Sequence, residues 1–301
     1  MRMADQRKKF YITTAIDYVN GKPHVGHALE KIQADVLARF HRARGNEVWF
    51  LTGTDEHGAK IARAAEASGK NPQHYVDEYA AHFKSMREAL NLSWDDFIRT
   101  SDRERHWPGV QMLWRKLKDA GALYKKSYRG LYCVGHEAFV TEKDLLDGRC
   151  RDHQKEPEVI EEENYFFKLS DYGSEIGKKI ESGELTILPD SRKNEILSLI
   201  KTGLEDVSFS RPAKDLAWGI PVPDDPAHTM YVWCDALTNY ISAIGYGRDE
   251  ENFKHWWGSE EVAHVIGKDI LRFHAAIWPG MLLAAALTTA TAPLWAAWRA
   301  K

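Results

Sequence analysis

Two histidines stand three residues apart where the sequence changes from a turn to a helix pattern. They are His24 and His27 in PHVGH, with Gly26 between them. Helix N-termini bind anions, and imidazole N–H groups there can donate to phosphate oxygens and stabilise the charge that builds up during nucleotidyl transfer. The glycine lets a flat base approach the backbone. A four-residue motif alone is equally consistent with two histidines that only cap a helix.

Two Cys-x-x-His pairs have the spacing of a metal site. Cys133 and His136 form the first pair, and Cys150 and His153 form the second. Two thiolates and two imidazoles make a closed tetrahedral ligand set, which is typical of structural zinc. The alternative is two surface thiols beside incidental histidines. Three cysteines disfavour a disulfide framework and favour a reducing compartment, and the third, Cys234, is interpreted as a buried apolar side chain.

A strand, a helix and a second strand surround the paired histidines. KKFYITTA predicts a strand ending near Ala15, and NEVWFL predicts a second, buried strand. Between them, apolar residues recur at helical spacing and predict the buried face of a helix: Leu29, Ile32, Val36, Leu37 and Phe40. Such a strand–helix–strand unit implies a parallel sheet, and ligands of these sheets bind at the carboxyl ends of the strands.

The order of elements predicts a doubly wound α/β fold with an insertion. Residues 1–122 continue with further helices and a strand, and form the first half of a sheet domain. Residues 123–226 change to short strands, the Cys-x-x-His pairs and one long helical stretch after Asp171, which predicts an inserted α+β domain. Residues 227–287 resume the strand-then-helix rhythm as an incomplete second half, and 288–301 form an atypical tail.

The composition is that of an ordinary globular protein. The 301 residues allow about two domains, with 44% hydrophobic and 28% charged residues. The net charge of −3 provides no global basic field, so any nucleic-acid contact needs a local patch. The N-terminus lacks an apolar run typical of a signal peptide, and prolines and a glycine interrupt the uncharged stretch from Ala275 to Trp298. We expect a cytoplasmic protein without a transmembrane helix.

A series of motifs resembles the methionyl-tRNA synthetase family of class I aminoacyl-tRNA synthetases. HVGH stands where that family has its HIGH signature, and TGTDEHG, EEENYFFKLS, WGIPVP, YVWCDA and VIGKDILRFHAAIWPGML follow in the family's order. The resemblance covers about residues 8 to 287. It implies a Rossmann-like nucleotide-binding sheet with an inserted connective domain. It also implies the family's activity, in which ATP with Mg²⁺ activates methionine to methionyl-adenylate and the methionyl group passes to tRNA(Met).

The resemblance assigns residues of this chain to both small substrates. The positions that match the ATP site are His24, Gly26, His27, Gly267, Lys268 and Asp269. The two histidines among them would be catalytic and stabilise adenylyl transfer. The positions that match the methionine site are Ile16, Tyr18, Asp55, Trp233, Ala236, Tyr240, Ile270 and His274. A strand-end carboxylate suits the ammonium group of methionine, and aromatic walls suit its thioether. Taken singly, Asp55 is equally suited to cap a helix, and the aromatic residues to a core.

The resemblance also implies one structural zinc ion, held by Cys133, His136, Cys150 and His153. The family often has cysteine at the position of His136, so this histidine is a departure. Two further departures lie beside the methionine site. They are Asp17, and Leu237 at a position where proline is common. Both bear on the affinity for the amino acid.

One signature of the family is not found after the last predicted helix. A KMSKS-like lysine loop, which offsets charge on the triphosphate, is expected there, but from Thr288 the sequence reads TTATAPLWAAWRAK. An anticodon-binding region is not found either. We therefore expect a truncated or frame-disrupted synthetase, rather than a short paralogue, that meets the acceptor end of tRNA(Met) and binds methionine but activates it poorly. We also expect the parallel sheet to end early and to leave an uncovered edge.

Other functions stay open on the residues alone. A non-catalytic methionine-binding or scaffolding protein would use the same half-site without chemistry. A small HxGH nucleotidyltransferase, such as a cytidylyltransferase, shares the histidine motif, but the Cys-x-x-His pairs and YVWCDA argue against it. A leucine, valine or isoleucine synthetase needs a large editing domain, for which residues 123–226 are too few.

Overall fold

The computed structural model describes residues 7–136, 138–259, 261–287 and 294–297. Within them the strands are β1 (Lys9–Thr14), β2 (Asp17–Tyr18), β3 (Glu47–Asp55), β4 (Asp96–Arg99), β5 (Leu123–Cys133), β6 (Ala138–Val140), β7 (Leu145–Leu146), β8 (Arg149–Cys150), β9 (Glu158–Phe167), β10 (Ile187–Leu188), β11 (Val207–Ser208), β12 (Ser210–Pro212), β13 (Pro221–Val222), β14 (Asp225–Met230), β15 (Glu261–Gly267) and β16 (Leu294–Ala297).

The α-helices in the same ranges are α1 (Val25–Ala43), α2 (Ala59–Ala67), α3 (Pro72–Ala89), α4 (Trp107–Asp119), α5 (Gly173–Ser182), α6 (Asp190–Thr202), α7 (Val232–Leu237), α8 (Asn239–Ser242), α9 (Glu250–Trp257) and α10 (Trp278–Ala284). Short 3-10 helices span Glu142–Asp144, Leu169–Tyr172 and Lys268–Ile270. A π-helix spans Phe273–Ile277 and runs into α10.

A parallel sheet, seven-stranded over the described residues, carries the fold. Its strands lie in the order β10-β16-β15-β1-β3-β2, and β4 also pairs with β3. Every pair in it is parallel. In the central strand β1, Phe10 and Ile12 pack on the α1 side, whereas Tyr11 packs on the opposite side. Burial on both faces is typical of parallel sheets and explains the unbroken apolar run, so the α/β prediction is confirmed.

Helix α1 turns a different face to the sheet from the one that its apolar spacing predicts. Ile32, Val36 and Phe40 are 41%, 60% and 52% exposed. The buried face instead carries two small and two charged residues: Lys31, Ala34, Asp35 and Ala38. The alanines allow a close approach to the sheet. Asp35 accepts hydrogen bonds from the backbone N–H and the hydroxyl of Ser93, each at 2.6 Å. The prediction that the apolar residues of α1 form its buried face is therefore wrong, because the charged residues Lys31 and Asp35 are buried with partners instead.

The smaller sheets, all antiparallel, lie between residues 123 and 230, so the last of them extends beyond the predicted boundary at 226. The largest pairs β11-β9-β5-β6, β14 pairs with β12 and β13, and β7 pairs with β8. The single long helix expected after Asp171 is wrong, because Gly183, at a φ of 82°, ends α5, and α6 begins only after β10. β10 pairs with β16 and so belongs to the main sheet. The division of the chain into domains stays a prediction.

The expectation that the main sheet ends early is wrong for the described part of the tail. β16 runs parallel to β15, from His264 to Gly267, and parallel to β10 on its other side. It thereby covers backbone groups at the edge of β15 that would otherwise have no strand partner. The rest of the tail, 288–293 and 298–301, lies outside the described residues. No helix in the described ranges is both long and apolar enough to span a bilayer.

Gly53 in β3 marks a point of very close packing. A Cβ atom there would lie 2.2 Å from the carbonyl oxygen of Ile98 in β4 and 3.0 Å from Cγ2 of Ile16. Because backbone must move to relieve this clash, we expect Gly53→Ala to lower the free energy of unfolding by about 2 kcal/mol or more. Urea denaturation measures the change. The control is Gly21→Ala, whose Cβ would meet nothing within 4 Å. Equal losses in the two variants would contradict the expectation.

Candidate functional site

A cavity of about 690 Å³ opens at the carboxyl ends of β1, β3 and β15. Every residue predicted for methionine lines it: Ile16, Tyr18, Asp55, Trp233, Ala236, Tyr240, Ile270 and His274. Among the residues predicted for ATP, His27, Lys268 and Asp269 line it as well. Of the others, Gly26 and Gly267 directly precede lining residues in the chain, and the ring of His24 stacks on that of His27. The cavity thus unites segments from both ends of the sequence.

The two histidines of PHVGH cap α1 with their rings. Nδ1 of His24 accepts from the backbone N–H of Gly26 at 3.1 Å, and Nδ1 of His27 accepts from the backbone N–H of His24 at 3.2 Å. The rings stack with their centroids 3.7 Å apart. Because each Nδ1 is an acceptor, a neutral ring carries its proton on Nε2 and has that N–H left to donate. The capping role and a ligand-binding role are therefore compatible.

The environment keeps His27 neutral, and Gly26 leaves space for the ring of His24. Burial lowers the pKa of His27 to about 4, against the opposing effect of Asp17, whose Oδ1 lies 3.9 Å from Nε2. A Cβ atom on Gly26 would lie 2.9 Å from Cε1 of His24. The glycine thus makes room for the capping ring, a reason that the motif alone does not reveal. Positive potential at this end of the cavity therefore comes from the helix terminus rather than from the ring of His27.

Glu30 is a cavity residue that no motif indicated. It follows His27 by one helical turn, and its Oε1 accepts from the backbone N–H of Ala15 at 3.0 Å. The backbone N–H of Gly267 also bonds to it, so Glu30 joins the ends of β1 and β15. Burial raises its pKa to about 8, and this outweighs the charge of Lys31 and the two backbone donors. The available signal was its spacing from His27 on one helix face.

The departure at Asp17 has a partner on α1. Asp17 is 5% exposed, and its carboxylate forms an ion pair with Lys31, which is fully buried. The charges of this pair act on both His27 and Glu30. Breaking a buried pair by removing one partner leaves an uncompensated charge, so the two residues depend on each other. Leu237, the other departure, lines the cavity directly.

Aromatic side chains form one wall of the cavity. Trp233 stacks on Phe273, with ring centroids 3.5 Å apart and planes at 10°. The hydroxyl of Tyr240 donates to Nε2 of His274 at 2.6 Å, and Nδ1–H of His274 donates to the carbonyl of Ile270 at 2.9 Å. Burial lowers the pKa of His274 to about 4. The wall is therefore uncharged and tightly bonded, which suits an apolar or thioether side chain.

Asp55 brings a carboxylate to the same cavity. It ends β3, is 6% exposed and pairs across the strands with Tyr18. The next residue, Glu56, is fully buried and accepts from Nε of Arg99 at 2.7 Å, which anchors the strand end. The helix-cap alternative for Asp55 is wrong, because Gly58 occupies the N-cap position of α2.

The two Cys-x-x-His pairs meet at one point. The ligand atoms of Cys133, His136, Cys150 and His153 all lie within 4.8 Å of one another. Sγ of Cys150 is 3.5 Å from Nδ1 of each histidine, and Sγ of Cys133 is 3.7 Å from Nδ1 of His153. Ligands held about 2.0–2.3 Å from a tetrahedral zinc ion lie about 3.5 Å apart, so the donor set fits zinc. Both thiols are buried and free of disulfides.

The Cys/His cluster forms part of the rim of the cavity. Gly135 and His153 line the cavity together with Tyr18. Nζ of Lys60 donates to the carbonyl of Gly135 at 3.4 Å and lies 5.7 Å from the ring centroid of Tyr18. Further charged residues that the sequence did not assign to the site line the rim: Asp152, Arg192, Glu195 and Arg272.

The chain matches the sequence model of one family over nearly its whole length. That family is described as tRNA synthetases class I (M), and the match covers residues 10–150 and 138–297. A methionine–tRNA ligase of Streptomyces coelicolor is 46% identical over 289 residues, and one of Thermotoga maritima is 47% identical over 283 residues. Each alignment covers 93% of this chain, but 53% and 44% of the relatives. The chain thus spans about half the length of the curated relatives it matches.

Solved structures share the fold. Mycobacterium tuberculosis methionyl-tRNA synthetase in complex with methionyl-adenylate matches with a TM-score of 0.89 and 41% sequence identity, over 96% of this chain and 57% of that one. The apo form of the same enzyme matches with a TM-score of 0.81 and 38% identity, over 98% of this chain and 57% of that one.

Glu30 makes stability depend on pH near neutrality. Burial raises its folded-state pKa from 4.5 to about 8, so its stabilising contribution is lost as the pH rises between these values. We expect the free energy of unfolding to fall from pH 6.5 to pH 8.5, and Glu30→Gln to reduce this fall because the amide does not ionise. Urea unfolding at both pH values measures it. Glu66→Gln, at an exposed position, should behave like the unmodified protein. An undiminished fall in Glu30→Gln would refute the expectation.

Proposed function

This chain belongs to the methionyl-tRNA synthetase family of class I tRNA synthetases, and on that premise we propose that its cavity activates methionine with ATP. The methionyl group then passes to the acceptor end of tRNA(Met). The observation that carries the proposal is the meeting, in one cavity, of an aromatic wall, the Asp55 carboxylate and the histidine-capped N-terminus of α1. Adenylate formation needs an amino-acid pocket beside an anion-binding helix end, because the substrate carboxylate must reach the α-phosphorus there.

Asp55 and the aromatic wall bind methionine in this proposal. The carboxylate of Asp55 accepts from the ammonium group, and a charge-assisted bond in a buried setting is among the stronger polar contacts. Trp233 and Tyr240 contact the thioether, and Ile16, Tyr18, Ala236, Ile270 and His274 complete the pocket. The neutral state of His274 avoids a second charge beside the apolar side chain.

The N-terminus of α1 acts on ATP, which arrives with Mg²⁺. Nε2–H groups of His24 and His27 donate to phosphate oxygens and stabilise the charge that develops as the methionine carboxylate attacks the α-phosphorus and pyrophosphate leaves. Gly26 brings the backbone close, and the segment Gly267–Asp269 contacts the nucleoside. In the second step, the 3′-terminal hydroxyl of tRNA(Met) attacks the carbonyl of the adenylate and AMP leaves.

The Cys/His cluster holds one structural zinc ion in this proposal. Four donors at tetrahedral separations support it, and the ion would tie the chain around Cys133 to the chain around Cys150 at the rim of the cavity. Residues 123–226 form a connective domain inserted between the halves 1–122 and 227–287 of the catalytic domain. Three free cysteines are in keeping with a cytoplasmic location.

Methionine binding through Asp55 is the first test. We expect calorimetry to show binding of methionine to the 301-residue chain, and mass spectrometry to show methionyl-adenylate after addition of ATP and Mg²⁺. Asp55→Asn should weaken methionine binding about tenfold or more, because a charge-assisted hydrogen bond is lost. Asp119→Asn, at an exposed position, is the matched control. Binding without adenylate would assign the cavity to the non-catalytic alternative, and no binding would refute the proposal.

Zinc content is the second test. Elemental analysis of purified, tag-free protein should give one zinc ion per chain, and the double variant Cys133→Ser, Cys150→Ser should lose it. Cys234→Ala, which changes a buried thiol outside the cluster, should retain the ion. A zinc-free wild-type protein, or equal zinc in the double variant, would rule out the assignment.

A further inference from the structure

We propose that Asp235 is a positioning residue for methionine, which holds the strand end bearing Asp55 against the helix bearing Trp233. Asp235 has this role only if the cavity binds methionine as proposed above. It lies in α7 between two residues of the cavity wall, two positions after Trp233 and directly before Ala236, yet it does not line the cavity itself. Any effect on the substrate must therefore pass through the residues that it holds.

Two histidines from distant segments bond to the carboxylate of Asp235. Its Oδ2 lies 2.6 Å from Nδ1 of His57, and its Oδ1 lies 2.7 Å from Nε2 of His106. All three side chains are almost completely buried, with Asp235 and His106 at 0% exposure and His57 at 2%. Burial by itself raises the pKa of Asp235, but the charges and hydrogen bonds of the two histidines outweigh it and lower the pKa to about 2. Asp235 is therefore a carboxylate that accepts from both rings.

The His57 bond acts on the side of the cavity proposed to bind the methionine ammonium group only through the chain, because His57 follows Asp55 by two residues. Its ring has little freedom of its own. Trp107 and Trp218 meet it edge-on, with centroid distances of 6.1 and 5.3 Å. A ring held on three sides transmits the position of Asp235 to the loop that begins at Asp55.

The His106 bond continues to a further element. Because Nε2–H of His106 donates to Asp235, its Nδ1 accepts from the hydroxyl of Ser242, at 2.7 Å. Ser242 is fully buried at the end of α8, and His106 directly precedes α4. The chain of bonds from Ser242 through His106 and Asp235 to His57 thus connects α8, the start of α4, α7 and the loop after β3.

An aspartate is the residue that this geometry requires. A carboxylate accepts from two N–H donors at once, whereas the isosteric asparagine has one acceptor oxygen and one donating amide group. In Asp235→Asn, one histidine must face the amide and either lose its bond or change its tautomer. The side-chain volume is unchanged, so the substitution tests the bonds rather than the packing.

The hydrogen bonds of Asp235 should affect the binding of methionine more than the binding of ATP. Methionine contacts the two walls that the link joins, through its ammonium group at Asp55 and its side chain at Trp233. ATP contacts the N-terminus of α1 and the segment Gly267–Asp269, and neither of these bonds to Asp235 or to its two histidines in the described structure. If Asp235 positions the methionine site, its substitution should lower the affinity for methionine alone. General destabilisation of the protein would lower the affinity for both methionine and ATP.

Calorimetry on the full chain tests the proposal. Asp235→Asn should raise the dissociation constant of methionine about tenfold and change that of ATP by less than about threefold. The matched control is Asp35→Asn, which removes another buried carboxylate from its hydrogen bonds but does not line the cavity, and it should leave methionine binding unchanged. Thermal melting of each ligand-free variant records the loss of stability separately.

If Asp235→Asn does not fold, a pair of variants at His57 tests the same hydrogen bond. Asparagine places an amide N–H near the position of the imidazole Nδ1–H and can keep the bond to Asp235, whereas leucine cannot. We expect His57→Asn to bind methionine markedly more tightly than His57→Leu. Equal affinity in this pair, unchanged methionine binding in Asp235→Asn, or equal loss of methionine and ATP would each overturn the role of Asp235. Failure of the wild-type chain to bind methionine would instead refute the proposed function.

Discussion

The first backbone N–H groups of a helix need acceptors, and in α1 two imidazole rings provide them. Nδ1 of His24 and Nδ1 of His27 accept from the backbone, so the neutral rings carry their protons on Nε2. The same turn therefore offers helix-end potential and uncharged side-chain donors to an anion. Gly26 leaves room for the His24 ring, which a Cβ atom there would have to displace. One local capping problem thus sets the tautomers on which the proposed ATP chemistry depends.

The polar residues that follow the capping histidines in α1 also determine how the helix is rotated against the sheet. Glu30 must reach the backbone at the ends of β1 and β15, and Lys31 must reach Asp17. These demands place a polar, functional face against the sheet and leave Ile32, Val36 and Phe40 outside, partly exposed. Apolar spacing predicted the reverse, because it weighs each side chain by its hydropathy and contains no information about which charged groups will find partners.

The family, the parallel α/β sheet and the segments that meet at its carboxyl edge could be predicted from the sequence, since motif order and the strand–helix rhythm constrain them strongly. The prediction grouped residues as distant as Tyr18 and His274, which do line one cavity. Pairings between unrelated segments could not be predicted. Asp235 sits in YVWCDA without any local sign of His57 or His106, and the pairing of Leu294–Ala297 with β15 has no signal in the tail itself. Such contacts depend on tertiary geometry rather than on spacing.

The central place of β1 has a consequence for the synthesis of the chain on the ribosome. β1 pairs on one side with β3, which follows soon after it, but on the other side with β15. The partners Thr13 and His264 are 251 residues apart. At about 5–20 residues per second, about 12–50 s pass between the translation of one and of the other. Throughout that interval an apolar strand has an open edge, so the nascent chain is most vulnerable to misassociation long before its catalytic cavity exists.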